Sequence, residues 1–214
     1  MKKVILFDLD GTLIDSTQAI VESFGVAFEA FGEQVPLASD IIMHIGHPLE
    51  TMFAALGTKE NAIDAHVTRY KEHYRDISRA KTVLLPNAAQ AVKLANDHAT
   101  LGVVTTKTGS YSRILLEHLG LMEYFDVLIG REDVIYPKPH PEPILKAIKN
   151  LDVTNKENCW MIGDTCMDIQ AAKSAGIIGV AVTSGYATRE QLKECTLEVY
   201  DDVLMALSAI VTKK

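Results

Sequence analysis

Short apolar runs recur along the chain at residues 4–7, 101–105, 126–129, 158–162 and 178–182. Most are separated by stretches in which apolar positions return every three or four residues. Runs this short and uniformly apolar suit strands buried on both faces, and their alternation with helical periodicity predicts a parallel sheet. Residues 88–98 read as one of the helices, leading into the run at 101. Between residues 15 and 81 the pattern changes to consecutive amphipathic stretches without a convincing strand, with Ile20, Phe24, Ala27 and Phe31 along one helical face. The expected fold class is therefore α/β: a doubly wound, mainly parallel sheet built from residues 1–14 and 82–214, with a helical domain inserted at 15–81.

Composition narrows the function. At 214 residues and 48% hydrophobic content the chain can bury a substantial core. A formal net charge of −7 argues against a nucleic-acid partner, whose phosphates are met by clustered Lys and Arg. No stretch approaches a membrane span, and the four apolar residues after Lys2 and Lys3 are too few for the core of a signal peptide. Cys159, Cys166 and Cys195 are few, odd in number and without metal-ligand spacing, so they read as reduced thiols in a cytoplasmic protein, with Cys166 a small packing residue.

Four separated clusters carry the chemistry. In Phe7-Asp8-Leu9-Asp10-Gly11-Thr12-Leu13 two carboxylates stand two residues apart where an apolar run ends. Residues so spaced in an extended segment share a side, and Gly11 lets the chain turn away. An aspartate is anionic at neutral pH, so Asp8 is a nucleophile that needs no activating base. Thr105 closes the run Val103-Val104-Thr105-Thr106-Lys107, where its hydroxyl and nearby amides can hold phosphate oxygens. Lys107 reads equally as facing that rim or as a solvated side chain. In Pro137-Lys138-Pro139-His140-Pro141 three prolines restrict the backbone around one lysine, which fixes the direction of its charge. Gly163-Asp164-Thr165-Cys166-Met167-Asp168 places two carboxylates four residues apart on a turn that becomes a helix. Together with Asp8 they form an all-oxygen set suited to a hard cation, Mg²⁺ above all, although Asp164 or Thr165 also fits a plain helix cap.

In this order and with these residues, the chain resembles the haloacid dehalogenase superfamily, specifically its phosphatases with a helical cap inserted after the first motif. The resemblance implies a Rossmann-like core in which Asp8 attacks phosphorus and the resulting aspartyl-phosphate is hydrolysed by water. It implies that Asp10 protonates the departing alkoxide and later takes a proton from water. Thr105, Thr106 and Lys138 would bind the phosphoryl group. The carboxylate of Asp8, the backbone carbonyl of Asp10 and Asp164 would hold Mg²⁺, with Asp168 supporting that site from behind. Thr106 departs from the asparagine many relatives carry there, which alters contacts at the phosphate rim.

The same resemblance places substrate discrimination in the cap, where His44 and His47 flank Ile45-Gly46 and where Arg75 and Arg79 lie four apart. It implies a small phosphorylated metabolite as partner, phosphoglycolate first among candidates, and a monomer or homodimer. Pyrophosphatases and β-phosphoglucomutases share the arrangement. Haloalkanoic acid dehalogenases do not need Asp10, and phosphonate hydrolases would require a cap lysine such as Lys59 or Lys71. A phospho-receiver signalling domain also combines an acceptor aspartate, acidic metal ligands, Thr and Lys, but without a second aspartate two residues on or a long helical insert.

Overall fold

The computed structural model describes residues 3–212, so Lys2 lies outside it. In chain order the strands are β1 (Lys3–Phe7), β2 (Ile14–Asp15), β3 (Val83–Leu84), β4 (Ala99–Val104), β5 (Val127–Ile129), β6 (Cys159–Gly163), β7 (Ile178–Val182) and β8 (Val199–Tyr200). The helices are α1 (Thr17–Ala30), α2 (Ala38–Met43), α3 (Leu49–Ala55), α4 (Ile63–Ile77), α5 (Ala88–Asn96), α6 (Gly109–His118), α7 (Glu142–Asn150), α8 (Cys166–Ala175), α9 (Arg189–Lys193) and α10 (Val203–Thr212). Among the described residues the main sheet has six strands in the order β5-β4-β1-β6-β7-β8, and every neighbouring pair is parallel. The chain therefore starts in the middle of the sheet, winds outward through β4 and β5, then returns to continue on the other side of β1. This is the doubly wound order with its reversal between β1 and β6.

Alternation within each strand explains why the runs are apolar throughout. Ile5 and Phe7 of β1, Leu101 and Val103 of β4, and Trp160 and Ile162 of β6 pack on one face against α5 and α10, through Val92, Ala95, Leu207 and Ile210. Val4 and Leu6, Val104, and Cys159 and Met161 turn to the other face, against Ile144 and Ile148 of α7 and Ala171, Ala172 and Ala175 of α8. Covering both faces leaves no solvent side on which a polar residue could alternate. The edge strand β8 has no counterpart in the sequence reading. Only two residues long, it is created by pairing of Val199 and Tyr200 with Ala181 and Val182 rather than by a pattern of its own.

The chain divides into two compact units, one comprising residues up to Asp15 and from Leu84 onward, the other Ser16–Val83. In the second, α1 and α4 enclose an aromatic core in which Phe24 meets Phe53 at 4.4 Å and Tyr70 at 5.0 Å between ring centroids. Ile20, Phe24 and Ala27 are buried as their spacing predicts, whereas Phe31 falls just past the end of α1 and is 46% exposed, stacked at 4.3 Å on the ring of His66.

The cysteine reading needs correction. Cys166 and Cys195 form a disulfide with 5.8 Å between Cα atoms, and only Cys159 is free, buried in β6. The turn after α9 brings Cys195 back to the first residue of α8, a proximity that a separation of 29 positions along the chain does not advertise. Cys166 is thus a covalent tie rather than a packing residue. No helix among the described residues is long and apolar enough to cross a membrane.

Candidate active site

Register carries the motif residues to one edge of the sheet. Phe7 of β1 pairs with Val103 of β4 and with Ile162 of β6, so the segments following these three strands emerge side by side. Asp8 prolongs the pairing by donating its N–H to Ile162 O at 2.9 Å. The chain then coils tightly, with the N–H groups of Leu13 and Ile14 both donating to Leu9 O, and Leu9 itself is buried in the core. Asp164 follows β6, so Asp8 and Asp164 flank the reversal in strand order, where open α/β sheets place their ligands.

Three carboxylates converge here. Asp8, Asp164 and Asp168 are all buried and each offers an oxygen within 4.8 Å of the others. Against them stands Lys138, itself buried, with Nζ 2.8 Å from Asp8 Oδ1, 2.6 Å from Asp168 Oδ1 and 3.0 Å from Val104 O. The Lys138-Pro139 peptide is cis. Asp168 turns its other oxygen to the start of α8, accepting from Thr165 N–H at 3.1 Å and Thr165 Oγ1 at 2.8 Å. It therefore caps a helix and positions Lys138 at once. Asp164 accepts from Tyr186 N–H at 2.8 Å and from Thr12 Oγ1 at 3.3 Å.

The electrostatics are those of a site short of positive charge. Burial raises the Asp8 carboxyl to about 7, opposed by Lys138 and assisted by Asp168. Burial, with the charges of Asp8 and Asp168, also raises Asp164 well above the usual carboxylate range. The ammonium of Lys138 is raised, its burial outweighed by Asp168 and Asp8. Three buried carboxylates facing one lysine, all with oxygen donors, fit a divalent cation, which would supply the missing charge.

Asp10 stands apart from this cluster. Its carboxylate meets Lys107 Nζ at 2.9 Å, and the Lys107 side chain is enclosed rather than solvated. Thr105, immediately after β4, is buried; its N–H donates to Ile129 O at 3.0 Å and its Oγ1 accepts from Lys107 N–H at 3.1 Å. Thr106 follows it, half-buried.

A sequence model of the family described as haloacid dehalogenase-like hydrolase matches residues 5–182. The chain belongs to this family. It is 33% identical over 221 residues to Probable phosphatase IndB of Dickeya dadantii, covering 99% of this chain and 96% of that one. It is 30% identical to phosphoglycolate phosphatase of Salmonella paratyphi A, covering 95% of this chain and 91% of the other. A solved haloacid dehalogenase-like family hydrolase from Streptococcus pneumoniae superposes with a TM-score of 0.87 at 27% identity, over 97% and 98% of the two chains. The chain is accordingly an enzyme, a phosphatase of the haloacid dehalogenase-like family.

Within this haloacid dehalogenase-like site, sequence reasoning overlooked the loop after β7. Ser184 Oγ donates to Gly11 O at 2.9 Å, and a Cβ at Gly185 would overlap the carboxylate of Asp164, so the backbone can reach that carboxylate only without a side chain. Gly11 is under the same restriction and adopts φ +80°. Tyr186 acts through its backbone amide, which no residue-type pattern records. A small Ser-Gly pair one residue beyond an apolar strand was the available signal. Of the proposed selectivity residues, all in the Ser16–Val83 unit, His47 is exposed. Its imidazole is shifted downward by partial desolvation and by His44, whose ring centre lies 6.5 Å away. Arg75 is exposed and 4.0 Å from Asp76, and Arg79 is exposed.

Proposed function

We propose that the enzyme hydrolyses a small phosphate monoester by way of an aspartyl-phosphate on Asp8, with Mg²⁺ as cofactor and phosphoglycolate the leading substrate candidate. The observation that carries this reading is the placement of Asp8 between Lys138 and Asp164 at the strand-order reversal, with a second carboxylate, Asp10, two residues further on. One oxygen of Asp8 is held by Lys138, which fixes the carboxylate and offsets its repulsion of an anionic phosphoryl group. Thr105 directly follows Val104, whose carbonyl accepts from Lys138 at 3.0 Å, which supports Thr105 and Lys138 as donors to the phosphoryl oxygens. Asp10 serves as acid for the leaving alkoxide and then as base for water. Asp8, the backbone carbonyl of Asp10 and Asp164 would hold Mg²⁺, which neutralises charge on the phosphoryl group when bound. The Ser16–Val83 unit acts as the cap that selects the leaving group, His47 being the contact we favour.

Rapid acid quench of enzyme mixed with a labelled aryl phosphate tests the route. Label should remain on the protein, be released by hydroxylamine and be absent from Asp8→Asn. Turnover near wild type in Asp8→Asn would overturn the nucleophile assignment. A phosphate-release panel of phosphoglycolate, sugar phosphates, nucleoside monophosphates and pyrophosphate, compared by kcat/KM with Mg²⁺ present, tests the substrate, and a tenfold or greater preference for another class would displace phosphoglycolate.

A further inference from the structure

We infer that Lys107 is a positioning residue for Asp10, holding the carboxylate in the orientation needed for proton transfer to the leaving group. This rests on the proposed acid and base role of Asp10. Both side chains are nearly enclosed, 9% and 11% exposed, and their ion pair is 2.9 Å long. Each partner starts from a pinned backbone. Lys107 donates its N–H to Thr105 Oγ1 at 3.1 Å, and its carbonyl accepts from Arg131 N–H at 3.0 Å. Asp10 sits in the coil closed by Gly11 N–H on Ile14 O at 2.9 Å and by the amides of Thr12, Leu13 and Ile14 on Leu9 O.

Lys107 thus ties the segment that carries Thr105 to the segment that carries Asp10. An ammonium has three donors and no acceptor, so it can orient a carboxylate oxygen but cannot take the proton's place in the reaction. Loss of the Lys107 ion pair removes a fixed partner of the Asp10 carboxylate, and a displacement of about 1 Å in a catalytic group costs on the order of 10²-fold in rate. The two lysines of the site therefore divide the work: Lys138 serves the nucleophile and Lys107 serves the proton carrier.

A double-mutant cycle decides the point, with single-turnover phosphorylation rates measured on an alkyl and a nitrophenyl phosphate. An alkoxide leaves with difficulty and depends on Asp10, whereas a nitrophenolate needs little help. Lys107→Met, which keeps length without charge, should lose roughly 10- to 100-fold on the alkyl ester and under threefold on the nitrophenyl ester. Lys107→Arg should restore part of the alkyl rate. In the Asp10→Asn background, Lys107→Met should add almost nothing, because partners acting through one group are not additive. Equal losses on both esters, or losses that multiply in the double variant, would overturn the inference while leaving the proton-carrier reading intact. If Asp10→Asn alone loses the two esters equally, that reading falls and the inference falls with it. Unchanged thermal unfolding of Lys107→Met and Lys107→Arg confirms that the rates report on a folded site.

Discussion

Replacing Asp8, the proposed nucleophile, should stabilise the metal-free protein at alkaline pH, since its carboxylate is held in surroundings that oppose its charge. Its carboxyl is raised to about 7, against an ordinary value of about 3.9. Between these values the folded protein keeps a proton that the unfolded chain has released, so stability falls by roughly 1.4 kcal/mol for each pH unit gained and levels off above pH 7. The full difference is about 4 kcal/mol for this one group, present as stability below pH 4 and lost by pH 7. Asp8→Asn removes the contribution of this group, since the amide never ionises, while that of Asp164 remains. In chelator, the stability of Asp8→Asn relative to wild type should therefore grow by about 3 kcal/mol from pH 5 to pH 8. Trp160, the single tryptophan, is buried in β6 and reports unfolding of the sheet unit in urea titrations followed by fluorescence. Mg²⁺ should narrow the gap at pH 8, because a ligand at a hundredfold its Kd adds about 2.7 kcal/mol to the protein that binds it. Parallel pH profiles for the two proteins in chelator would refute the argument, as would equal stabilisation of both by Mg²⁺.

Other consequences follow from the same geometry. Lys138→Ala should lower kcat/KM by at least 10²-fold, since it strips the fixed cation from both Asp8 and Asp168, and Lys138→Arg should not rescue it, because a planar guanidinium does not fit a pocket closed around an ammonium; steady-state kinetics on one ester suffices. Gly185→Ala should cost about 1–3 kcal/mol of stability and weaken Mg²⁺ binding measured by calorimetry, because the added methyl overlaps the Asp164 carboxylate. Chelation should stop turnover and Mg²⁺ restore it, with Ca²⁺ a poor substitute because its larger, looser shell misplaces the reacting oxygens; full activity after verified metal removal would contradict the cation's role.

What the sequence made legible follows from the kind of interaction involved. The buried strands announced themselves because Ile5, Phe7, Leu101, Val103, Trp160 and Ile162 are apolar for a reason internal to each strand, the covering of both faces. Asp8, Lys138, Asp164 and Asp168 were nameable because charged residues at strand ends are chemically conspicuous, and the structure brings these four together. β8 was invisible because its two residues owe their conformation to β7. Tyr186 was invisible because it contributes an amide, and the tie between Cys166 and Cys195 depends on a turn whose path no local pattern specifies. Lys107 was ambiguous for a related reason: nothing in a lysine's neighbours along the chain tells whether a carboxylate waits across space.

The two points at which the chain leaves and re-enters the sheet unit are held together, Leu85 N–H donating to Leu13 O at 3.0 Å. Any segment joining them closes a loop, and the entropy of closure grows only with the logarithm of its length, so exchanging a stretch as long as Ser16–Val83 for a tight connection of a few residues changes that cost by only about 2–3 kcal/mol. The sheet unit is thus nearly indifferent to what it carries between Leu13 and Leu85. The junction is therefore the natural place to exchange one insert for another, and a shift in substrate preference after such an exchange would test the proposal that Ser16–Val83 sets specificity.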